Sequence, residues 1–206
     1  MGKLIVIEGT DNSGKSTLAK QLIEDLGDAY YFEELEPYGE IRDILNNPCF
    51  YKDKLGLVDD FQFGVFLTKK FMENRIQYQE KLESLLNKYN YVIIDRYVIS
   101  TLLYGTFEDK KEWYDHKNKV LSPDLTIILS PNNETIKKRV IESGEDDYYQ
   151  NADKAVDYNN KFLEYYNLKR KTDNKLKFIN PDILGLKDVK ELSKHIIENH
   201  IKVLDE

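Results

Sequence analysis

Cysteine occurs once in the chain, as Cys49, so no internal disulfide can staple the fold and nothing around that thiol marks a reactive setting. Arginine is nearly as scarce: among 30 basic residues only Arg42, Arg75, Arg96, Arg139 and Arg170 carry a guanidinium. Long apolar runs are missing. No stretch approaches the ~20 residues of a membrane span, and the opening "MGKLIVIEGT" is broken at Glu8 before it reaches signal-peptide length. Internal repeats, low-complexity tracts and linkers rich in Pro, Gly and Ser are also lacking, which leads to the expectation of a single domain over residues 1–206. Nor is there an excess of positive charge. A formal net charge of −7 argues against nucleic acid or an anionic membrane as partner, so cations that meet an anionic ligand must be gathered locally. The expectation is a cytoplasmic protein with a small-molecule partner.

What is present is an alternation. Apolar runs of strand length, "KLIVIE" (3–8), "AYYFEEL" (29–35), "YVIID" (91–95), "DLTIILS" (124–130) and "LKFIN" (176–180), are separated by helical patterns. Helices are expected over 15–26, over "LTKKFMENRIQYQEKLESLLNK" as one long element, and over "NETIKKRVIES", "DKAVDYNNKFLEYYNLKRK" and "DVKELSKHIIENH". Near-continuous apolar strands alternating with helices predict an α/β fold, a five-stranded parallel sheet covered on both faces. Residues 47–60 and 143–153 are polar, glycine-containing and read as mobile segments, the second as a lid.

In "IEGTDNSGKST", Gly9, Gly14, Lys15 and Ser16 fit G-x-x-x-x-G-K-[ST], with an apolar strand before and an amphipathic helix after. Glycines let backbone N–H groups from Gly9 through Thr17 (Thr10, Asp11, Asn12 and Ser13 between them) converge on phosphates, and the helix start adds its positive end. Lys15 would reach between the β- and γ-phosphates of ATP, and the Ser16 hydroxyl would ligate Mg²⁺. Asp95, ending "YVIID" at the carboxyl edge of a strand, is the expected second Mg²⁺ ligand.

A phosphate loop does not name the acceptor. A hydroxyl acceptor needs a base, whereas a phosphate monoester with a second pKa near ~6 is already ionised and needs cations. Arg96, directly after Asp95, favours a phosphate acceptor. Phe71 and Arg75 in "FMENR" stand four apart on one helical face, where a ring can stack on a base and a fork can bond its edge.

With these blocks in view, the sequence resembles the thymidylate kinase family of nucleoside monophosphate kinases along nearly its whole length. "IEGTDNSGKST" resembles the family's phosphate loop, "FMENR" its F-x-x-N-R block, "DRYVISTLLY" its D-R-Y segment, and "PDLTIILS" its fourth strand. The twenty residues from Arg75 to Asp95 match the interval in several members. The resemblance implies a P-loop NTPase three-layer fold with a lid, a homodimer, and transfer of the ATP γ-phosphate to dTMP. It further implies that Phe71 stacks on thymine and Arg75 bonds its edge, while Arg96 holds the acceptor phosphate. Tyr104 would sit against the sugar 2′ position, with Ser100 nearby, Asp11 would face the acceptor sugar, and Arg139 would pack on adenine.

The chain departs from the family pattern in two places. Members usually carry a catalytic arginine in the loop or the lid, but Asn12 fills the loop position and "SGEDDYYQNAD" has none. Lys15, Mg²⁺ and Arg96, with Lys138 or another lysine, would then carry the transition-state charge, and the expectation is slow turnover or an unassigned replacement for the arginine. Leu35 stands where an arginine is frequent, and Arg42 lies at the matching "IR" position. Three alternatives stay open: a deoxynucleoside kinase with Glu36 as base, a kinase of broader deoxynucleoside monophosphate range, and a nucleotide-binding module without catalysis.

Overall fold

The computed structural model describes residues 1–33, 39–144 and 151–205. Five strands, β1 (Lys3–Glu8), β2 (Ala29–Glu33), β3 (Tyr91–Asp95), β4 (Leu125–Leu129) and β5 (Leu176–Ile179), form one sheet in the order β2-β3-β1-β4-β5. Every neighbouring pair is parallel. Parallel strands need a crossover between them, and helices supply it. The α/β expectation, five strands included, matches this sheet.

Residues alternate in facing along β1. Ile5 and Ile7 pack with Leu18 and Leu22 of α1 (Lys15–Leu26) and with Val189 and Ile197 of α10 (Leu186–Asp205). Leu4 and Val6 point the other way, onto Tyr78, Leu82 and Leu86. All four strand residues are at most 1% exposed, so each contributes on the order of 1.5–3 kcal/mol by burial. A third cluster sets Ile128 against Phe162 of α9 (Ala152–Lys169). Helices therefore cover both faces of a central β1, and the carboxyl ends of β1 and β3 open at the point where strand order reverses, the usual ligand crevice of such sheets.

Two expectations are corrected. The expected single helix from residue 67 to 88 is two helices, α4 (Asp60–Gln77) and α5 (Gln79–Lys88), parted at Tyr78. Tyr78 has φ −88 and ψ 4, outside helical values, and its ring is 1% exposed beneath Phe32. The Gln79 Nε2 amide donates to the Arg75 carbonyl at 2.6 Å, satisfying a backbone acceptor at the break. The turn swings α5 so that Leu82 and Leu86 reach the sheet. The second correction concerns residues 47–60, which carry a helix, α3 (Pro48–Leu55). Pro48 starts that helix and Gly56, with φ 66, ends it, so the residues that suggested a loop are helix punctuation. The remaining helices are α2 (Gly39–Asn46), α6 (Val98–Tyr104), α7 (Lys111–Lys117) and α8 (Asn133–Ser143). Most of the expected lid, and Leu35, Glu36 and Pro37, lie outside the described residues. No helix among the described residues is long and apolar enough to cross a membrane.

Candidate active site

The loop between β1 and α1 is built by backbone conformations that few side chains tolerate. Gly9 has φ 150, and a Cβ there would lie 2.3 Å from the Leu129 carbonyl oxygen. Gly14 has φ 99, and Asn12 adopts φ 59, a region asparagine visits more readily than most residues. The loop curls so that buried Lys15 donates from Nζ to the Thr10 carbonyl at 2.7 Å. Thr10 is tied outward as well. Its hydroxyl donates to the Ala155 carbonyl of α9 at 3.2 Å and accepts from the Tyr104 hydroxyl at 3.3 Å.

Around this loop lies a cleft of about 780 Å³ into which Lys15, Ser16, Asp95, Arg96, Arg139 and Arg42 all face. Asp11, Asn12, Ser13, Gly14 and Thr17 line it too, and Leu129, Pro181 and Val189 give it an apolar end. The Ser16 hydroxyl donates to Asp95 Oδ2 at 2.5 Å, and the Tyr31 hydroxyl reaches the same oxygen at 3.3 Å. Asp95 Oδ1 is buried without a hydrogen-bond partner. Among the described residues no three His, Cys, Asp or Glu side chains gather into a metal site. One hydroxyl and one carboxylate with an unfilled oxygen is nevertheless a donor set suited to Mg²⁺, which keeps waters and takes further oxygens from a bound phosphate. Arg139 donates from Nη1 to the Asn12 carbonyl at 3.0 Å, which fixes its guanidinium over the loop.

Arg96 connects this cleft with a second cluster. It has φ 66, its backbone N–H donates to the Ile7 carbonyl at 2.9 Å, and its guanidinium pairs with Asp11. The guanidinium also lies 4.8 Å from the Tyr104 ring centre and reaches the Ser100 hydroxyl at 3.4 Å. Burial would lift the Asp11 carboxyl, but Arg96 and Lys15 override it and hold that group below its ordinary value. Burial pushes the Tyr104 hydroxyl up to about 12, with Arg96 opposing. Tyr104 stacks on Tyr158 of α9 at 4.0 Å between ring centres.

Phe71, Arg75, Ser100 and Tyr104 do not line this cleft. They occupy α4 and α6, which pack together beside it. Arg75 is 1% exposed, so it is no solvated helix charge; it stacks 5.6 Å from the Phe71 ring centre.

Four residues escaped the sequence reading. Glu8 is fully buried and accepts four hydrogen bonds from the start of α6; its signal was a carboxylate ending an apolar strand. His116 on α7 is 3% exposed, and neither ring nitrogen has a hydrogen-bond partner. Tyr31 and Tyr158 were hidden among 15 tyrosines. Arg42, at the "IR" position, is exposed and faces the cleft.

Comparison with known proteins bears directly on this arrangement. A family model described as thymidylate kinase matches residues 7–191. A probable thymidylate kinase of Methanococcus maripaludis strain C7 is 31% identical over 174 residues, covering 82% of this chain and 78% of that protein. One from Methanococcus aeolicus is 29% identical over 209 aligned positions, 98% of this chain and 99% of its own length. The thymidylate kinase structure from Candida albicans superposes with a TM-score of 0.72 at 24% identity, over 96% of this chain and 92% of that one, a likeness of fold. Matched by its family model from the strand before the phosphate loop to the last helix, the chain belongs to the thymidylate kinase family.

Proposed function

We propose that the chain transfers the γ-phosphate of ATP to dTMP, giving dTDP and ADP. The observation that carries this reading is Arg96. It stands beside Asp95 at the phosphate cleft, and its neighbours Ser100 and Tyr104 lead to the α4 pair Phe71 and Arg75. One guanidinium thus links a donor-phosphate loop to a wall bearing a ring and a buried fork.

The N–H groups of residues 9–17 hold the donor phosphates, with Lys15 on the transferring group. Its Nζ now rests on the Thr10 carbonyl and turns to the phosphate on binding. Ser16 and Asp95 hold Mg²⁺, which when bound neutralises charge on the donor phosphates. Arg139, fixed over the loop, packs on adenine. On the acceptor side Phe71 stacks on the base, Arg75 bonds its edge, and Tyr104 closes off the sugar 2′ position. Arg96 holds the acceptor phosphate in line with the transferring group, and Asp11 orients Arg96 and the sugar. The acceptor is already ionised at neutral pH, so no general base is required. Catalysis is then positioning plus electrostatic stabilisation. With asparagine at position 12, where many family members have arginine, turnover is slow.

The test is a panel of deoxynucleoside monophosphates and nucleosides assayed with ATP and Mg²⁺. The expected result is ADP formation with dTMP far above that with thymidine. Phosphorylation of thymidine but not dTMP would favour a deoxynucleoside kinase, and ATP binding without ADP formation on any acceptor would favour a non-catalytic module. The homodimer implied by the family is tested by sedimentation.

A further inference from the structure

Glu8 ends β1, one residue before Gly9, and is fully buried. Its Oε1 accepts the backbone N–H groups of Tyr97 at 3.0 Å, Ile99 at 3.1 Å and Ser100 at 3.2 Å. Its Oε2 accepts the Ser100 hydroxyl at 2.5 Å, and that hydroxyl oxygen in turn faces Arg96 Nη1 at 3.4 Å. Tyr97 is the N-cap residue of α6 and caps it with no side-chain hydrogen bond, so a carboxylate 89 positions earlier in the chain does so.

Capping alone does not call for this residue. A serine or aspartate at position 97 would satisfy the same N–H groups without taking a carboxylate out of water, which is costly. Glu8 offers what a local cap does not. Its second oxygen engages Ser100 and so reaches Arg96, and burial raises its carboxyl above the ordinary value while the charges of Arg75 and Arg96 oppose that rise. Arg96 needs such support, because its backbone is in the left-handed region, where a non-glycine residue persists only when its surroundings hold it.

We infer that Glu8 is a positioning residue, which acts through Ser100 to hold the Arg96 guanidinium at the distance from the phosphate loop that an acceptor phosphate requires. Because Glu8 and Gly9 are consecutive, the strand that launches the donor loop also fixes the acceptor arginine. The inference rests on the reading of Arg96 as the acceptor-phosphate residue.

The test uses Glu8→Gln, which keeps the shape and the backbone acceptor but presents an amide N–H₂ to Ser100. Affinity for dTMP is measured by calorimetry, affinity for thymidine by competition, and KM for ATP by steady-state assay. Loss of one charge-assisted positioning contact is expected to raise the dTMP dissociation constant by about tenfold. Thymidine, which has no phosphate, and ATP should each change by less than about twofold. Equal weakening of dTMP and thymidine would mark a structural cap only, and no change in either would leave Glu8 without a part in binding; both overturn the inference. A wild-type protein that turns over no dTMP would overturn the functional reading itself, a separate outcome. If Glu8→Gln does not fold, Ser100→Ala cuts the same link while leaving the backbone bonds of Glu8 intact. The same phosphate-selective loss is then expected, and its absence overturns the inference.

Discussion

His116 makes stability depend on pH in a way whose size follows from its surroundings. The imidazole is 3% exposed on α7, with no hydrogen-bond partner for either nitrogen. Burial, with Arg75 and Lys119 nearby, lowers its pKa from an ordinary 6.5 to about 4. The unfolded chain therefore binds a proton at a pH where the folded chain does not, and stability rises with pH wherever that holds. The contribution is complete above 6.5, falls as pH drops through the window to 4, and is flat below it. At about pH 4.5 the unfolded imidazole is nearly all protonated and the folded one mostly neutral. Close to two pK units separate them there, worth about 2–3 kcal/mol. His116→Leu removes the titration and keeps the site apolar. Urea unfolding of both proteins at about pH 7.5 and about pH 4.5 gives the check. Between the two conditions the variant should gain about 2–3 kcal/mol on the wild type, whatever its cost at neutral pH. An unchanged difference between the proteins at the two pH values would refute the argument, because His116 would then titrate alike in both states.

Four further outcomes are expected. Gly9→Ala sets a methyl 2.3 Å from the Leu129 carbonyl oxygen, so the loop must deform; ATP turnover should fall by more than about tenfold and ATP should no longer raise the melting temperature. Arg96→Ala should lower kcat by about 10²–10³ with a smaller change in KM for ATP, read from steady-state kinetics. Arg75→Ala should weaken dTMP binding and also destabilise the fold by about 2–5 kcal/mol, because the 1% exposed side chain packed on Phe71 leaves a void; denaturation curves separate the two effects. Tyr104→Ala removes the ring that stacks on Tyr158 and should narrow the preference for dTMP over its ribonucleotide, measured as a ratio of kcat/KM.

The strands were legible because their signals are local. The run "YVIID" reads as a buried strand on its own, and β3 spans those five residues, Tyr91–Asp95. The break at Tyr78 was not legible, since helical periodicity continues through it and only the sheet beneath requires α5 to turn. Pro48 and Gly56 carried the right information about α3, but a helix with no buried residue shows little periodicity to support them. In the site, Asp95 and Ser16 were found as separate motif members, 79 positions apart, and the structure joins them. Glu8 and His116 were missed for the same reason. Their significance lies in partners, or in the lack of partners, among residues distant in sequence.

Arginine usage turns out to carry more of the site than any single motif. Arg42, Arg96 and Arg139 line the cleft and Arg75 is buried on the adjoining helix, leaving only Arg170, exposed at the end of α9, away from both. Of the 25 lysines Lys15 is buried in the loop, whereas others form exposed ion pairs such as Lys137 with Asp153 or Lys187 with Glu191, which contribute little to stability. A guanidinium, unlike an ammonium, offers a planar, permanently charged fork. The departure at Asn12 follows the same logic. Its left-handed backbone turns the carbonyl outward, and Arg139 from α8 binds that carbonyl. A guanidinium from another element thus meets the loop at Asn12, so the charge lining the cleft is set by tertiary structure and cannot be read from the loop sequence alone.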